Sequence, residues 1–306
     1  MADLRNGTLV EHNTLGIGKI VALEANAVHV FFPESDRRFA AKLRLPTARP
    51  MLRTEGVEPN AWLEGLSAFT LDPKVGRYAL AASWLTHDEA VEKFRGTYPK
   101  AFADPGLVGK DWRVARWRAV GERWAELFAA GKGEKLVAAE DHNGLVKRLL
   151  DVEQHVAPLH PPADAEAVKS ALSHHQQVLP FCAALFELLS VPSAGRARFD
   201  KLFAAARALP VDSEQQWLVA TLFPFLASPT RHVLLRPRSS CEAALRLGSD
   251  IGESGTPRWA PYAALRALSG RLLERLAPEG AKDFVDVEAF LHVTAASKRR
   301  PARSRP

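Results

Sequence analysis

The chain has 306 residues, of which 47% are hydrophobic and 25% are charged, and its formal net charge is +6 at pH 7. This balance is typical of a folded protein of about two domains and excludes a chain that is disordered throughout. No apolar run approaches the roughly 20 residues that span a bilayer, and the first residues lack the apolar segment of a signal peptide. We therefore expect a cytoplasmic protein with no membrane partner.

The positive charge is concentrated at the C-terminus. Residues 298–306 contain five cations and no acid, so that residues 1–297 have a net charge of only +1. Such a segment is predicted to be a disordered basic tail that attracts polyanions without sequence preference. Basic tails also serve solubility alone, so both interpretations stay open. The tail residues Lys298, Arg299 and Arg300 are the first candidates for contact with nucleic acid.

Strand-like alternation marks the N-terminal part of the chain. Two alternating runs, Lys19–Leu23 and Ala27–Phe32, are separated by a short polar turn that contains Asn26. This pattern predicts a β-hairpin. Gly16 and Gly18 come just before it, where a small barrel needs a tight bend or a bulge that a Cβ atom would obstruct.

A further strand is predicted over residues 37–43, and prolines at positions 46 and 50 then interrupt the chain. We therefore place a domain boundary near residue 50. Arg37, Arg38 and Lys42 in this stretch are candidate nucleic-acid contacts.

The spacing of glycines and apolar residues in the first fifty residues resembles a known type of small barrel. The residues that carry it are Gly7, Val10, His12, Gly16, Gly18, Ile20, Val28, Val30 and Phe32. They resemble the SH3-like or Tudor-like domains of CarD-type transcription regulators, of transcription-repair coupling factors and of some helicase tails. The resemblance implies a barrel that contacts RNA polymerase by adding a strand at an exposed edge. That edge is expected near Val28, Val30 and Phe32 or near residues 37–42.

Beyond residue 50 the apolar residues recur at helical spacing, which predicts an irregular α-helical domain over residues 51–297. Thr86–Glu89 has the form of a capping box that opens a helix to about residue 98, and Asp111 precedes a Trp-rich helix to about residue 130. Further helices are predicted near residues 134–139, 143–156, 164–172, 176–190, 195–209, 213–226, 240–247, 261–276 and 286–296. A proline-rich break at 157–163 either divides two lobes or forms one stiff loop. The expected fold class is α+β, mostly α.

Two internal arginine clusters are candidate nucleic-acid contacts. On the Trp-rich helix, Arg113, Arg116 and Arg123 share a face that is separate from the apolar stripe. Guanidinium groups beside aromatic rings can stack on bases and neutralise phosphates. The alternative is that the tryptophans pack in the core and the arginines form a solvated face.

The second cluster contains Arg231, Arg236 and Arg238 and leads into a helix that Ser239 or Ser240 caps. Amide donors at such a helix start, with two arginines close by, are able to hold a phosphate. Plain capping, with the arginines paired to acids, is the alternative.

Motifs for catalysis are missing. The stretch Gly16-Ile-Gly-Lys19 lacks the spacing and the Ser or Thr of a Walker motif, and it lacks the third glycine of a dinucleotide fingerprint. Cys182 and Cys241 lie in apolar helical surroundings and are read as buried reduced thiols. The sequence thus predicts no catalytic residue, no metal and no cofactor, although an active site assembled from residues distant in sequence stays open.

Together these features predict a noncatalytic regulatory or accessory protein that binds DNA or RNA and docks on RNA polymerase or on a DNA-repair or defence complex. The stretches Pro257–Tyr262 and Asp283–Val293 also resemble a helical segment at the ends of some bacterial DNA-metabolism or defence proteins, over about sixty residues from Leu234. The alternatives are a defence effector or enzyme with a non-contiguous active site, and a protein–protein adaptor.

Overall fold

The computed structural model describes residues 4–81, 83–109, 113–159, 161–191, 195–252 and 255–295. The protein is an α+β protein, mostly α, with an N-terminal curled antiparallel half-barrel that precedes a multi-helix region. This confirms the fold class that the sequence predicts. Asp111 and the predicted basic tail lie outside the described residues.

The chain divides into two compact units. The N-terminal unit consists of residues 1–91 with 244–250, and the helical unit consists of residues 92–243 with 251–306. Within the break predicted at 157–163, Ala157–Leu159 form a short 3-10 helix and an α-helix begins at Pro162, both inside the helical unit.

Seven strands are formed by the described residues: β1 Leu9–His12, β2 Gly16–Leu23, β3 Ala27–Phe31, β4 Ala41–Arg44, β5 Leu52–Arg53, β6 Thr70–Asp72 and β7 Arg77–Ala79. The first five make one antiparallel sheet in the order β4-β3-β2-β1-β5, and β6 pairs with β7. The predicted hairpin is confirmed, since β2 and β3 pair with Lys19 opposite Phe31. The fifth strand lies two residues beyond the boundary predicted at residue 50.

The strand predicted over residues 37–43 is shorter and starts later, at Ala41. The residues before it are bonded elsewhere: Phe39 forms a bridge to Ala79, and the Ala40 N–H donates to the Tyr78 carbonyl at 2.8 Å. Hydrogen bonds to neighbouring segments, and not the alternation of apolar residues in 37–43, therefore determine where β4 begins.

The sheet is covered on both faces at β3, all five residues of which are buried. Val28 and Val30 pack in one apolar cluster with Ile20 and Leu52. Phe31, whose side chain points the other way along the strand, packs in a second cluster with Leu63 and Leu66 among others. A strand buried on both faces explains why the run Ala27–Phe32 is almost continuously apolar.

Both glycines of the predicted bend are required by the backbone or by its neighbours. Gly16 has φ +74°, a left-handed conformation that glycine adopts at little cost. A Cβ atom on Gly18 would lie 2.5 Å from the Phe32 ring and 2.8 Å from Val30. Gly16 therefore serves the turn between β1 and β2, whereas Gly18 makes room for side chains of the sheet.

Fourteen α-helices are formed by the described residues: α1 Leu45–Ala48, α2 Ala61–Gly65, α3 His87–Thr97, α4 Pro105–Val108, α5 Arg113–Phe128, α6 Lys132–Ala138, α7 His142–Val156, α8 Pro162–Leu172, α9 His175–Leu189, α10 Arg196–Arg207, α11 Ser213–Ala227, α12 Pro237–Arg246, α13 Trp259–Leu276 and α14 Phe284–Ala295. The longer helices begin and end within three residues of the predicted positions. The capping box is confirmed: the Thr86 N–H donates to the Glu89 carboxylate at 2.8 Å, and the Glu89 N–H donates to Thr86 Oγ1 at 3.3 Å.

The core of the helical unit is built around α11, which is buried along its length from Gln216 to Leu226. A helix that is apolar on every side is expected to be surrounded by other elements. On α5, Trp117 and Trp124 are both buried, and Trp117 packs edge-on against Phe225 at a centroid distance of 5.3 Å. The tryptophans are therefore core residues, as the structural interpretation of the Trp-rich helix predicted.

Candidate nucleic-acid interface and buried charge cluster

Residues 37–53 of the N-terminal unit form a stretch that we call the basic segment, because it has six cations and no acid. Three of the six are paired with carboxylates: Arg37 with Glu89 at 2.7 Å, Lys42 with Glu24 at 2.9 Å, and Arg53 with Glu11. The other three, Arg38, Arg44 and Arg49, are exposed and form no ion pair within the described part of the chain. Within the basic segment, these three cations can bind a polyanion without first breaking an ion pair.

β4 presents part of this charge on a regular surface. Lys42 and Arg44 are exposed, while Ala41 and Leu43 are half-buried and pack against the core of the sheet. Residues two apart on a strand point to the same face, so the outer face of β4 is positively charged.

The predicted docking edge at Val28, Val30 and Phe32 is not an edge of the sheet. β3 is paired on both sides, with β2 and with β4, and the three side chains are at most 2% exposed. Among the described residues the free edge on this side belongs to β4. Of the second predicted stretch, 37–42, only residues 41 and 42 lie on that strand.

The lysine of the Gly-Ile-Gly-Lys stretch has a structural role. Lys19 is 8% exposed, and its Nζ donates to the backbone carbonyl of Leu66 at 2.6 Å and to that of Glu64. The ammonium group therefore binds the carboxyl end of α2, which accounts for a buried lysine without a phosphate ligand.

The arginines predicted on α5 do not form one free basic face. Arg123 donates to Asp151 and to Glu126, each at 2.8 Å, and these hydrogen bonds raise the pKa of the guanidinium. Arg113 is directed into a buried cluster described below. Arg116 is partly exposed and has no ion pair among the described residues.

The second predicted arginine cluster is also divided by its contacts. Arg231 donates to the Val191 carbonyl and to Ser228 Oγ, both at 2.8 Å. The side chain of Arg238 is 89% exposed and pairs with Glu214 at 3.0 Å. Arg236, between them in sequence, is four-fifths buried.

A buried charge cluster joins residues that are far apart in sequence, and we call it the Arg236 cluster: Arg113 on α5, Arg236 just before α12, and Glu288 and His292 on α14. The guanidinium of Arg113 binds the Glu288 carboxylate with two nitrogens, one of them at 2.9 Å. Burial alone would raise the pKa of Glu288, but the positive charges of Arg113 and Arg236 hold it below its usual value. Burial and the charge of Arg113 lower the pKa of His292, which favours its neutral imidazole.

Arg236 lacks a comparable partner. Its Nε and Nη2 groups are buried and donate no hydrogen bond in the described part of the chain. The nearest carboxylate oxygen belongs to Asp164, 4.0 Å from Nε, which is too far for a hydrogen bond. Burial lowers the pKa of Arg236 and raises that of Asp164. Both pKa shifts indicate that the cost of burying these charges is not fully offset by an opposite charge nearby.

Two cavities of the helical unit share Arg236 and Ser239 in their walls. The smaller also touches Ser240, Glu288 and His292. The larger has a volume of about 320 Å³ and is lined by Leu218 and by four side chains that carry acceptor oxygens, namely Asp164, Asp212, Glu214 and Gln215.

A second charged group connects α5 with the start of α14. Arg118 donates to Asp283 at 2.7 Å and to Asp286 at 2.9 Å. The side chain of Asp286 is only 3% exposed, and burial raises its pKa even though Arg118 acts in the opposite direction.

Sequence reasoning missed the acidic members of both clusters. Glu288 is 175 residues from Arg113, and Asp283 is 165 residues from Arg118. No local spacing signals such pairs. The one available hint is that Asp283, Asp286 and Glu288 fall within a mainly apolar segment.

The cysteines are both free. Cys182 is buried, as predicted, and burial raises its pKa to about 12. Cys241 on α12 is only partly buried, so the prediction of a buried thiol is wrong at this position. Across the described ranges, no group of three or more His, Cys, Asp or Glu side chains is placed to hold a metal ion, and no helix is long and apolar enough to cross a membrane.

No family model, curated protein or solved structure matches this chain. The class is therefore defined by the structure itself: a mostly helical α+β protein with an N-terminal antiparallel half-barrel.

Proposed function

We propose that the protein is a noncatalytic, cytoplasmic accessory protein that associates with DNA or RNA through the basic segment of its N-terminal unit. The observation that carries this proposal is the presence of Arg38, Arg44 and Arg49, which are exposed and unpaired within the described residues. Cations of this kind bind backbone phosphates and release condensed counterions, which favours association at low salt.

The other predicted arginines support the proposal less. Arg123 and Arg238 are paired with carboxylates, and Arg113 belongs to the buried cluster. A phosphate would have to displace these carboxylates, at the cost of an existing charge-assisted hydrogen bond. These contacts narrow the candidate interface from the full set of predicted cations to the basic segment, Arg116 and the C-terminal tail.

The first prediction concerns this interface. Replacing Arg38, Arg44 and Arg49 together with glutamine is expected to weaken binding of the full chain to a short DNA duplex or single strand. Each lost phosphate contact lowers the slope of log K against log salt by about 0.7 to 0.9, so the slope should fall by about 2. Fluorescence anisotropy titrations over a series of salt concentrations measure both quantities.

The matched control removes the same charge from exposed, paired positions of the helical unit: Arg95, Arg196 and Lys201 to glutamine. This variant is expected to keep the salt slope. A third variant, with the five tail cations replaced by glutamine, separates the tail from the folded surface. Binding that is lost with the tail and unaffected by the basic-segment variant would refute a structured interface.

A second candidate function is protein docking at the β4 edge, on RNA polymerase or a repair or defence complex. The specific observation is the geometry of that edge. The Leu45 N–H donates to the Asn26 carbonyl, and the register pairs Val28 with Leu43 and His29 with Lys42. Since antiparallel pairs alternate in bonding, the backbone groups of Lys42 and Arg44 point away from β3, where an added strand would bind.

The second prediction tests this edge. Lys42→Pro removes an outward N–H while leaving the ladder to β3 intact, and we expect it to weaken an edge-bound partner about tenfold, the effect of one or two lost hydrogen bonds. Lys42→Gln removes only the charge and is the control. Binding to purified RNA polymerase is measured by biolayer interferometry. Equal binding by the two variants, or no binding by the parent chain, would argue against docking at β4.

A further inference from the structure

We infer that the helical unit binds a small phosphate monoester, with the phosphoryl group on Arg236 and the organic part in the adjoining cavity of about 320 Å³. This goes beyond the proposed function, because the ligand is a small molecule and the site is separate in sequence and composition from the basic segment.

The charge of the Arg236 cluster requires an additional anion. Glu288 is the one carboxylate bonded within the cluster, and Arg113 occupies it with two hydrogen bonds. Arg236 thus leaves the cluster with one uncompensated positive charge, and Asp164 at 4.0 Å compensates it only in part. A buried cation with unpartnered N–H groups is costly unless a counterion binds it.

The donors around Arg236 suit a phosphoryl group. Arg236 lines both cavities, and rotation of its side chain would bring the buried Nε and Nη2 donors to two oxygens of a phosphate. Ser240 Oγ accepts the backbone N–H of Arg236 at 3.0 Å, which leaves its hydroxyl hydrogen to donate to a ligand. Ser239 lies in the walls of both cavities. The Glu288 carboxylate also faces the small cavity, but its charge is balanced by Arg113.

The larger cavity restricts what the phosphoryl group is attached to. Asp212 and Gln215 in its wall already accept backbone hydrogen bonds at the start of α11, and Glu214 pairs with Arg238, which also lines the cavity. Asp164 and the remaining lone pairs of these groups favour a ligand that carries hydroxyl or amino donors, and Leu218 adds an apolar contact. Its wall carries three carboxylates and two arginines, Arg236 and Arg238, so its formal charge is negative and disfavours the repeated negative charge of a nucleic-acid strand. A sugar phosphate or a mononucleotide therefore fits this site better than a polymer.

Thermal unfolding of the full chain with ribose 5-phosphate tests the inference, with ribose at the same concentration and ionic strength as the control. We expect ribose 5-phosphate, but not ribose, to raise the unfolding temperature in a saturable way. Arg236→Met should weaken the apparent affinity at least tenfold, the effect of losing charge-assisted hydrogen bonds. Arg196→Gln, which removes an exposed arginine, should leave it unchanged.

Without ligand, Arg236→Met is expected to unfold at the same temperature or a few degrees higher, because it removes a buried charge that lacks a full partner. Ser239→Ala, at an exposed position, provides a second variant with several-fold weaker binding. An equal response to ribose, an unchanged response in Arg236→Met, or stabilisation by an oligonucleotide but by no small phosphate would overturn the inference. A loss of many degrees in ligand-free Arg236→Met would also overturn it, since Arg236 would then be a structural ion-pair partner.

Discussion

Replacing Glu288 with glutamine is expected to lower the free energy of unfolding by about 3–5 kcal/mol at pH 7, the usual effect of removing one member of a buried ion pair. Two arginines face this carboxylate: Arg113 binds it directly, and Arg236 is close enough to lower its pKa. The variant leaves both guanidinium groups buried without a bonded carboxylate. Urea unfolding at pH 7 measures the loss.

The stability loss in Glu288→Gln should become smaller at acidic pH. Because the pKa of Glu288 is lowered in the folded protein, its contribution to stability is present above the unfolded value of about 4.3 and is lost as the pH falls through the folded value. The difference between the parent chain and Glu288→Gln should therefore shrink below about pH 4. The double variant Arg113→Met/Glu288→Gln tests the pairing. If its loss in the free energy of unfolding equals the sum of the losses in the two single variants, the residues act independently and the pairing is refuted.

Arg118→Met is expected to lower the free energy of unfolding by about 2–3 kcal/mol at pH 7, which is less than the loss expected for Glu288→Gln. The value is below that of a fully buried pair because the arginine side chain is 37% exposed, although its partner Asp286 is only 3% exposed. Urea unfolding again gives the value. Removing the guanidinium leaves two adjacent carboxylates, Asp283 and Asp286, at the start of α14 without a cation.

The stability loss in Arg118→Met should also shrink as the pH falls, but in a higher pH range than the loss in Glu288→Gln, which shrinks only below about pH 4. The pKa of Asp286 is raised in the folded protein, so ionisation of this group costs stability as the pH rises through that value. Loss of Arg118 increases this cost, and we expect the variant to recover part of its stability as the pH falls from 7 to about 5.

Arg123→Met is a matched control for Arg118→Met. It lies on the same helix and is exposed to a similar extent, 35%, but its partner Asp151 is 32% exposed. Because solvent screens that pair, its removal should cost less. Equal losses in Arg118→Met and Arg123→Met would show that burial of the partner carboxylate does not decide the effect.

Local patterns were sufficient for most of the elements. The hairpin of β2 and β3 follows from alternation and a polar turn, and the start of α3 follows from Thr86 and Glu89, because the bonds involved join residues close in sequence. The core positions Trp117 and Trp124 follow from helical periodicity. Short elements such as α1, β5 and the β6–β7 pair were not predicted, since their few residues carry too little periodicity to be distinguished from loops.

Composition and periodicity were enough to predict the fold class, the longer helices and the arginine clusters. Which strand forms the free edge, and which arginines have no carboxylate partner, depends on contacts between segments that are distant in sequence. The sequence of β3 does not show that β4 pairs with it and makes it an inner strand. Likewise, Arg113 and Arg116 look equivalent in sequence, but only Arg113 binds Glu288, which lies 175 residues later. Strand order and ion pairing depend on contacts between distant segments, whereas periodicity records only neighbours along the chain. That is why the basic segment and the Arg236 cluster emerge as distinct candidates only after folding.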